Sequence, residues 1–180
     1  MNTPSDDDTP RIYIASLADY NAGRLHGKWI DCDKDVEDIR QEIADMLAAS
    51  NEMIAEEYAI HDYENFGPVH LHEYEDIERV AEIARLIGEH RGLIAHVVEH
   101  CGGLDQLDEA KRLIEDEYAG EWKSLAEWAE DFLEETGQLE NVPKILRFYF
   151  DFEKYADDCQ LSGDVFTVEV DGAIHVFWNR

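Results

Sequence analysis

Apolar residues recur along this chain with two different periods. From Ser124 to Gly137, Leu125, Trp128, Ala129, Phe132 and Leu133 fall at i, i+3, i+4, i+7 and i+8, which gathers them on one stripe of a helix. Ser124 and Glu127, three residues apart, form a capping box that starts this helix, and Gly137 is placed to end it. The same period predicts a helix from Asp33 or Asp35 to about Ser50, with Val36, Ile39, Ile43, Met46 and Leu47 inward. Between Leu71 and His100, Ile77, Val80, Ala81, Ala84 and Ile87 share a face, with Gly88 and Gly92 limiting the helix. Leu93–Cys101 is a further helix, and Asp105 begins another through Leu107, Ala110 and Ile114 that leads toward Ser124. Aromatic and β-branched content gives strands at Arg11–Ala15, His26–Asp31 and Glu57–Glu64. Asp164–Trp178 reads as a hairpin turned by Asp171-Gly172, whose apolar edge must be covered by the chain or by a second subunit. Leu17–Leu25 reads as a loop, Ile145–Phe152 as helix or strand, and Met1–Pro10 as a disordered leader.

The polar positions change this picture, because they are acidic. Glu127, Glu130, Asp131, Glu134 and Glu135 form the outer face of the Ser124 helix, and Glu115, Asp116, Glu117 and Glu121 lead into it, with Lys123 the only base from Leu113 to Gly137. Glu37, Asp38, Glu42 and Asp45 face outward on the first helix, and Glu75, Asp76, Glu78 and Glu82, with Glu89, surround the next. Like charges four apart each cost a helix roughly 0.2–0.5 kcal/mol, and Glu134 and Glu135 also oppose the helix dipole. Over all 180 residues, 43 Asp and Glu stand against 15 Lys and Arg, a formal net charge of −28. Such a charge argues against direct nucleic-acid binding, which requires a basic footprint. It argues for a partner that itself binds DNA: one charge per ~1.7 Å of duplex makes the net charge equivalent to roughly 48 Å of DNA.

With 44% hydrophobic residues the chain should fold rather than behave as an acidic tail. Cys32, Cys101 and Cys159 are widely spaced, which fits reduced thiols in a cytosol, and no apolar run approaches the ~18 residues of a membrane span. One catalytic pattern needs weighing. His96-Val-Val-Glu99-His100 fits H-x-x-E-H, in which two histidines on a helix hold zinc and the glutamate acts as base. Such a centre needs a third ligand, and Cys101 is badly phased to supply it, so these residues read as ordinary helix-surface histidines. His61, His70 and His72 likewise read as structural, and Trp122, Trp128, Phe148, Tyr149 and Phe150 as core. No phosphate loop or nucleophile elbow is present, and neither an enzyme activity nor a cofactor is expected.

Arg11–Ile30 (RIYIASLADYNAGRLHGKWI), the His61-Asp-Tyr-Glu64 segment, Leu113–Gly137 and Phe150–Trp178 with Leu161-Ser-Gly-Asp164 together resemble the ArdA family of antirestriction proteins. That family is carried by plasmids, conjugative transposons and phages. The resemblance implies an elongated, dimeric α+β protein of three small units whose carboxylates imitate bent B-form DNA. On this sequence the units would be an N-terminal sheet unit at 11–66, a helical middle at 67–103, and a helix and β-hairpin unit at 104–180 that contains the antirestriction motif. It further implies occupation of the DNA-binding cleft, formed by specificity and modification subunits, of type I restriction-modification enzymes in a bacterial host cytoplasm. A generic acidic chaperone for basic DNA-binding proteins is the alternative.

Overall fold

The computed structural model describes residues 8–180. The chain is α+β, with 46% helix and 20% strand. Its contacts divide it into two compact units, the first running to Leu107 and the second from Asp108 to Arg180.

The first unit is built on an antiparallel sheet with β1 (Arg11–Ser16) between β2 (Gly27–Asp31) and β3 (Tyr58–Glu64). Ile12, Ile14 and Ala15 of the central strand are fully buried, as expected for a strand paired on both edges. Part of the expected leader, residues 1–7, lies outside the described residues. Thr9 and Pro10 are tied to the sheet, where their carbonyls accept from Asn65 Nδ2 and the Cys32 N–H. The expected loop after β1 is instead a one-turn helix, α1 (Leu17–Asn21). The reason is local: Ser16 Oγ accepts from the Asp19 N–H, and the buried Asp19 carboxylate in turn accepts from Ser50 and pairs with Arg24. These partners hold the Asp19 carboxyl below its usual range, Ser50 foremost.

Helix α2 (Val36–Ala48) buries Ile39, Ile43 and Met46, while Val36 and Leu47 are half-buried. Helix α3 (Ile77–Glu89) starts at Asp76, whose carboxylate accepts from the Glu78 N–H; it buries Ile77, Val80, Ala81 and Ala84 of the expected stripe together with Ile83 and Leu86, while Ile87 is half-buried. Gly88 does not limit α3 but lies inside it, since one glycine costs a helix only about 1 kcal/mol. Helix α4 (Leu93–Cys101) ends at Gly102 as expected.

The second unit has its own sheet, order β4 (Tyr118–Trp122), β6 (Ala173–Trp178), β5 (Val165–Val170), with β6 central. The chain itself covers the hairpin edge, because β4 pairs with β6 from Trp122↔Ile174 to Tyr118↔Phe177. Asp171 and Gly172 both take positive φ, 52° and 80°, as the two-residue turn between β5 and β6 requires. The helix expected from Asp105 is shorter and broken: a 3-10 turn at Leu104–Gln106 precedes α5 (Leu107–Arg112), and a π turn at Leu113–Glu117 leads straight into β4. Helix α6 (Leu125–Glu135) is capped as expected, with Ser124 Oγ accepting from the Glu127 N–H at 3.1 Å. The returning glutamate accepts one residue earlier than a standard capping box, from the Lys123 N–H at 2.9 Å. After the one-turn helix α7 (Lys144–Arg147), α8 (Phe152–Ser162) packs with α6 on the sheet around Trp128, Ala129, Ala156, Val165 and Val176.

Candidate functional site

The two acidic helical faces meet different surroundings. On α2, Glu42 is half-buried and accepts from both Lys28 and Lys34, the latter at 2.6 Å. Hydrogen bonds from Lys28 and then Lys34 outweigh desolvation and hold its carboxyl below the usual range. Arg40 of α2 reaches Glu78 of α3 at 2.6 Å and lies 4.0 Å from Glu37, while Asp45 accepts from Gln41. Asp38 is exposed, Glu75 half-buried, and Asp76 is engaged in capping α3. A groove between the start of α2 and α3 mixes Asp33, Lys34, Asp35, Glu78, Glu82 and Arg85. Acids and bases are interleaved across this face.

Around α6 of the second unit they are not. Glu130, Asp131, Glu134 and Glu135 of α6 are exposed, and among the described residues none of their carboxylates has an ion-pair or hydrogen-bond partner. Glu115, Asp116 and Glu121 are exposed too and make no ion pair among the described residues. Glu127 is half-buried and spent on the cap. Glu117 departs from the expected outer row: it is 8% exposed and lies 3.4 Å from Arg112. Leu113 and Glu117, the first and last residues of the π turn, are both buried. Lys123 is exposed and makes no ion pair among the described residues.

Beside this row lies an aromatic cluster. Trp128 stacks on Phe132 at 5.5 Å, and Trp178 meets both rings edge-on at 5.6 and 5.1 Å. Trp122 lies at the end of β4, where a Cβ added at Gly120 would stand 3.2 Å from its Nε1. That indole N–H is buried without a hydrogen-bond acceptor. Trp128 is core as expected, but Phe148 and Tyr149 are not, at 87% and 75% exposed. The short α7 ends before them and leaves them on the surface with Ile145 and Leu146.

His96, Glu99 and His100 share α4, His96 half-buried and the other two exposed. Among the described residues no group of three or more His, Cys, Asp or Glu side chains is arranged to hold a metal ion. His70 pairs with the Tyr63 hydroxyl and His61 meets the Tyr20 ring edge-on, both packing contacts. Burial pushes the Cys32 thiol up to about 12, far from the range of a reactive thiolate. Among the described residues no helix is long and apolar enough to cross a membrane.

The fold and surface are those of an α+β protein with a strongly acidic helical face. The sequence model of the family described as Antirestriction protein (ArdA) matches residues 12–172, and the chain belongs to that family. Membership gives antirestriction as its function, directed at restriction enzymes. No curated protein matches the sequence.

Proposed function

We propose that this chain protects incoming DNA by imitating it, occupying the DNA-binding cleft between the specificity and modification subunits of a type I restriction-modification enzyme in the bacterial cytoplasm. The observation that carries this reading is the row of unpartnered carboxylates on α6. Its four free carboxylates, from Glu130 to Glu135, span about 7.5 Å at 1.5 Å per residue, a mean axial spacing of about 2.5 Å, between the ~1.7 Å per charge of the duplex and the ~3.4 Å of one strand. Glu115, Asp116 and Glu121 extend the row. Carboxylates already held by internal bases, Glu42, Glu78 and Glu117, contribute net field rather than contacts. Asp38, Asp45, Glu75 and the remaining acids of α2 and α3 add to the long-range attraction that steers the encounter. A functional homodimer belongs to this reading. Its surface is the exposed Ile145, Leu146, Phe148 and Tyr149, where the flanking Lys144 offers an acidic second copy an opposite charge.

The test is competition. The chain is titrated against a type I enzyme bound to labelled DNA at several salt concentrations, with a basic DNA-binding protein of another kind as control. Selective displacement that weakens as salt rises is expected, because surface charges are screened beyond ~8 Å at physiological ionic strength. Equal displacement from the control supports the generic acidic chaperone instead.

A further inference from the structure

The inner edge of α6 borders a cavity that an array of phosphate mimics does not require. It is about 150 Å³, walled by Trp122, Trp128, Phe132 and Trp178, with Asp131 and Glu135 among its lining residues. Phe132 and Trp178 are only half-buried, so aromatic surface remains accessible, and neither carboxylate has a partner among the described residues. These two kinds of wall select a ligand together. An anion is repelled by the carboxylates, and a neutral apolar group leaves them unused. A cation is attracted both by the negative ring faces and by the carboxylates. The chain already shows this chemistry on the same cluster, since the Arg180 guanidinium carbon lies 5.0 Å from the centre of the Trp178 ring. Between the two biological cations, a guanidinium is planar and weakly hydrated, stacks on rings, and forks its N–H groups to a carboxylate; an ammonium does none of these.

We propose that this cavity receives one arginine side chain of the protein partner, stacked on the accessible surface of Phe132 and Trp178 and bonded to Asp131 or Glu135. The proposal rests on the acidic-face reading for its choice of a protein partner. Its mechanism is separate: the anchor is a partly desolvated contact at one point, less sensitive to salt than the open row of carboxylates.

The test uses the full chain alone, labelled at its four indole nitrogens, with N-acetyl-arginine amide as probe. Saturable movement of the Trp122, Trp128 and Trp178 signals is expected, with Trp29 of the first unit unmoved. N-acetyl-lysine amide should bind at least about 5-fold more weakly. Asp131→Asn with Glu135→Gln should weaken the arginine probe about 10-fold, and Glu130→Gln with Glu134→Gln on the same helix should leave it unchanged. Stationary signals, or movement equal for both probes and abolished by salt, overturn the proposal. A chain that ignores the arginine probe yet displaces DNA from the type I enzyme loses only the pocket; one that binds the probe but displaces nothing loses only the DNA-mimic reading.

Discussion

Helices α2 and α6 carry outer faces of similar acidity, yet the fold treats them differently. Around α2, Lys28 and Lys34 converge on Glu42, and Arg40 crosses to Glu78 of α3. Around α6, the nearest base in sequence is Lys123, which makes no ion pair among the described residues, and Glu127–Asp131, Glu130–Glu134 and Asp131–Glu135 are three like-charge pairs at i, i+4. At roughly 0.2–0.5 kcal/mol each, these pairs oppose the helix by about 1 kcal/mol. What holds α6 despite them is its inner face, where Trp128, Ala129 and Leu133 are almost fully buried. On one face, part of the acidity is held by bases of its own unit. The other is left available to something else.

The comparison can be strained first at the core that supports the unpaired face. Trp128→Ala removes a side chain only 2% exposed and should destabilise the second unit by about 3–5 kcal/mol. Hydrogen exchange should show α6, α8 and the β5–β6 hairpin losing protection, while β1–β3 of the first unit keeps it. Equal loss in both units would mean that α6 does not depend on its own core.

A smaller change brings the paired face closer to the unpaired one. Arg40→Met removes the base shared by Glu37 and Glu78, with little expected effect on melting temperature. If unpaired carboxylates engage the partner, inhibition of the restriction enzyme should strengthen, by up to a few-fold; weaker inhibition would place Arg40 itself in the interface.

The smallest effect is one of pH. The Glu42 carboxyl is held below its ordinary value of 4.5 by Lys28 and Lys34, so its pairing stabilises the fold above that value and is lost as pH falls through the lower, folded one. Thermal melts from pH 7 to pH 3 should show an acid-side loss in the wild-type chain that is reduced in Glu42→Gln. Superimposable profiles would show that the Lys28–Glu42–Lys34 cluster adds no net stability.

Local signals in the sequence carry much of this architecture. The Ser124 cap, the α6 stripe and the Asp171-Gly172 turn each depend on residues within a few positions of one another, and all three are seen. Strand β4 was not legible, because YAGEW has no alternation and becomes a strand through pairing with β6, more than fifty residues later. Helix α8 was legible but unread: Phe152, Tyr155, Ala156 and Cys159 fall at i, i+3, i+4 and i+7. The acidity of each face was plain, whereas its neutralisation was not. Arg40 and Glu78 are 38 positions apart, and Lys28 and Glu42 are 14 apart. Glu117 looked like one more outer acid because nothing in its neighbourhood announces a π turn. The aromatic cavity is built from β4, α6 and β6, so no single stretch displays it.

On the proposed mechanism, unpaired carboxylates rather than total charge carry inhibition. Two variants with the same change in net charge test it directly. One neutralises Glu130, Asp131, Glu134 and Glu135 to Gln or Asn; the other does the same to Glu37, Asp38, Glu42 and Glu78. Both are assayed for protection of unmodified DNA against a type I restriction enzyme. With exposed pairs worth ~0–1 kcal/mol each, the α6 variant should lose roughly 10- to 100-fold in potency and the first-unit variant no more than a few-fold. Equal losses, or a larger loss from the first unit, would contradict the claim and leave bulk charge or a different face as the source of inhibition.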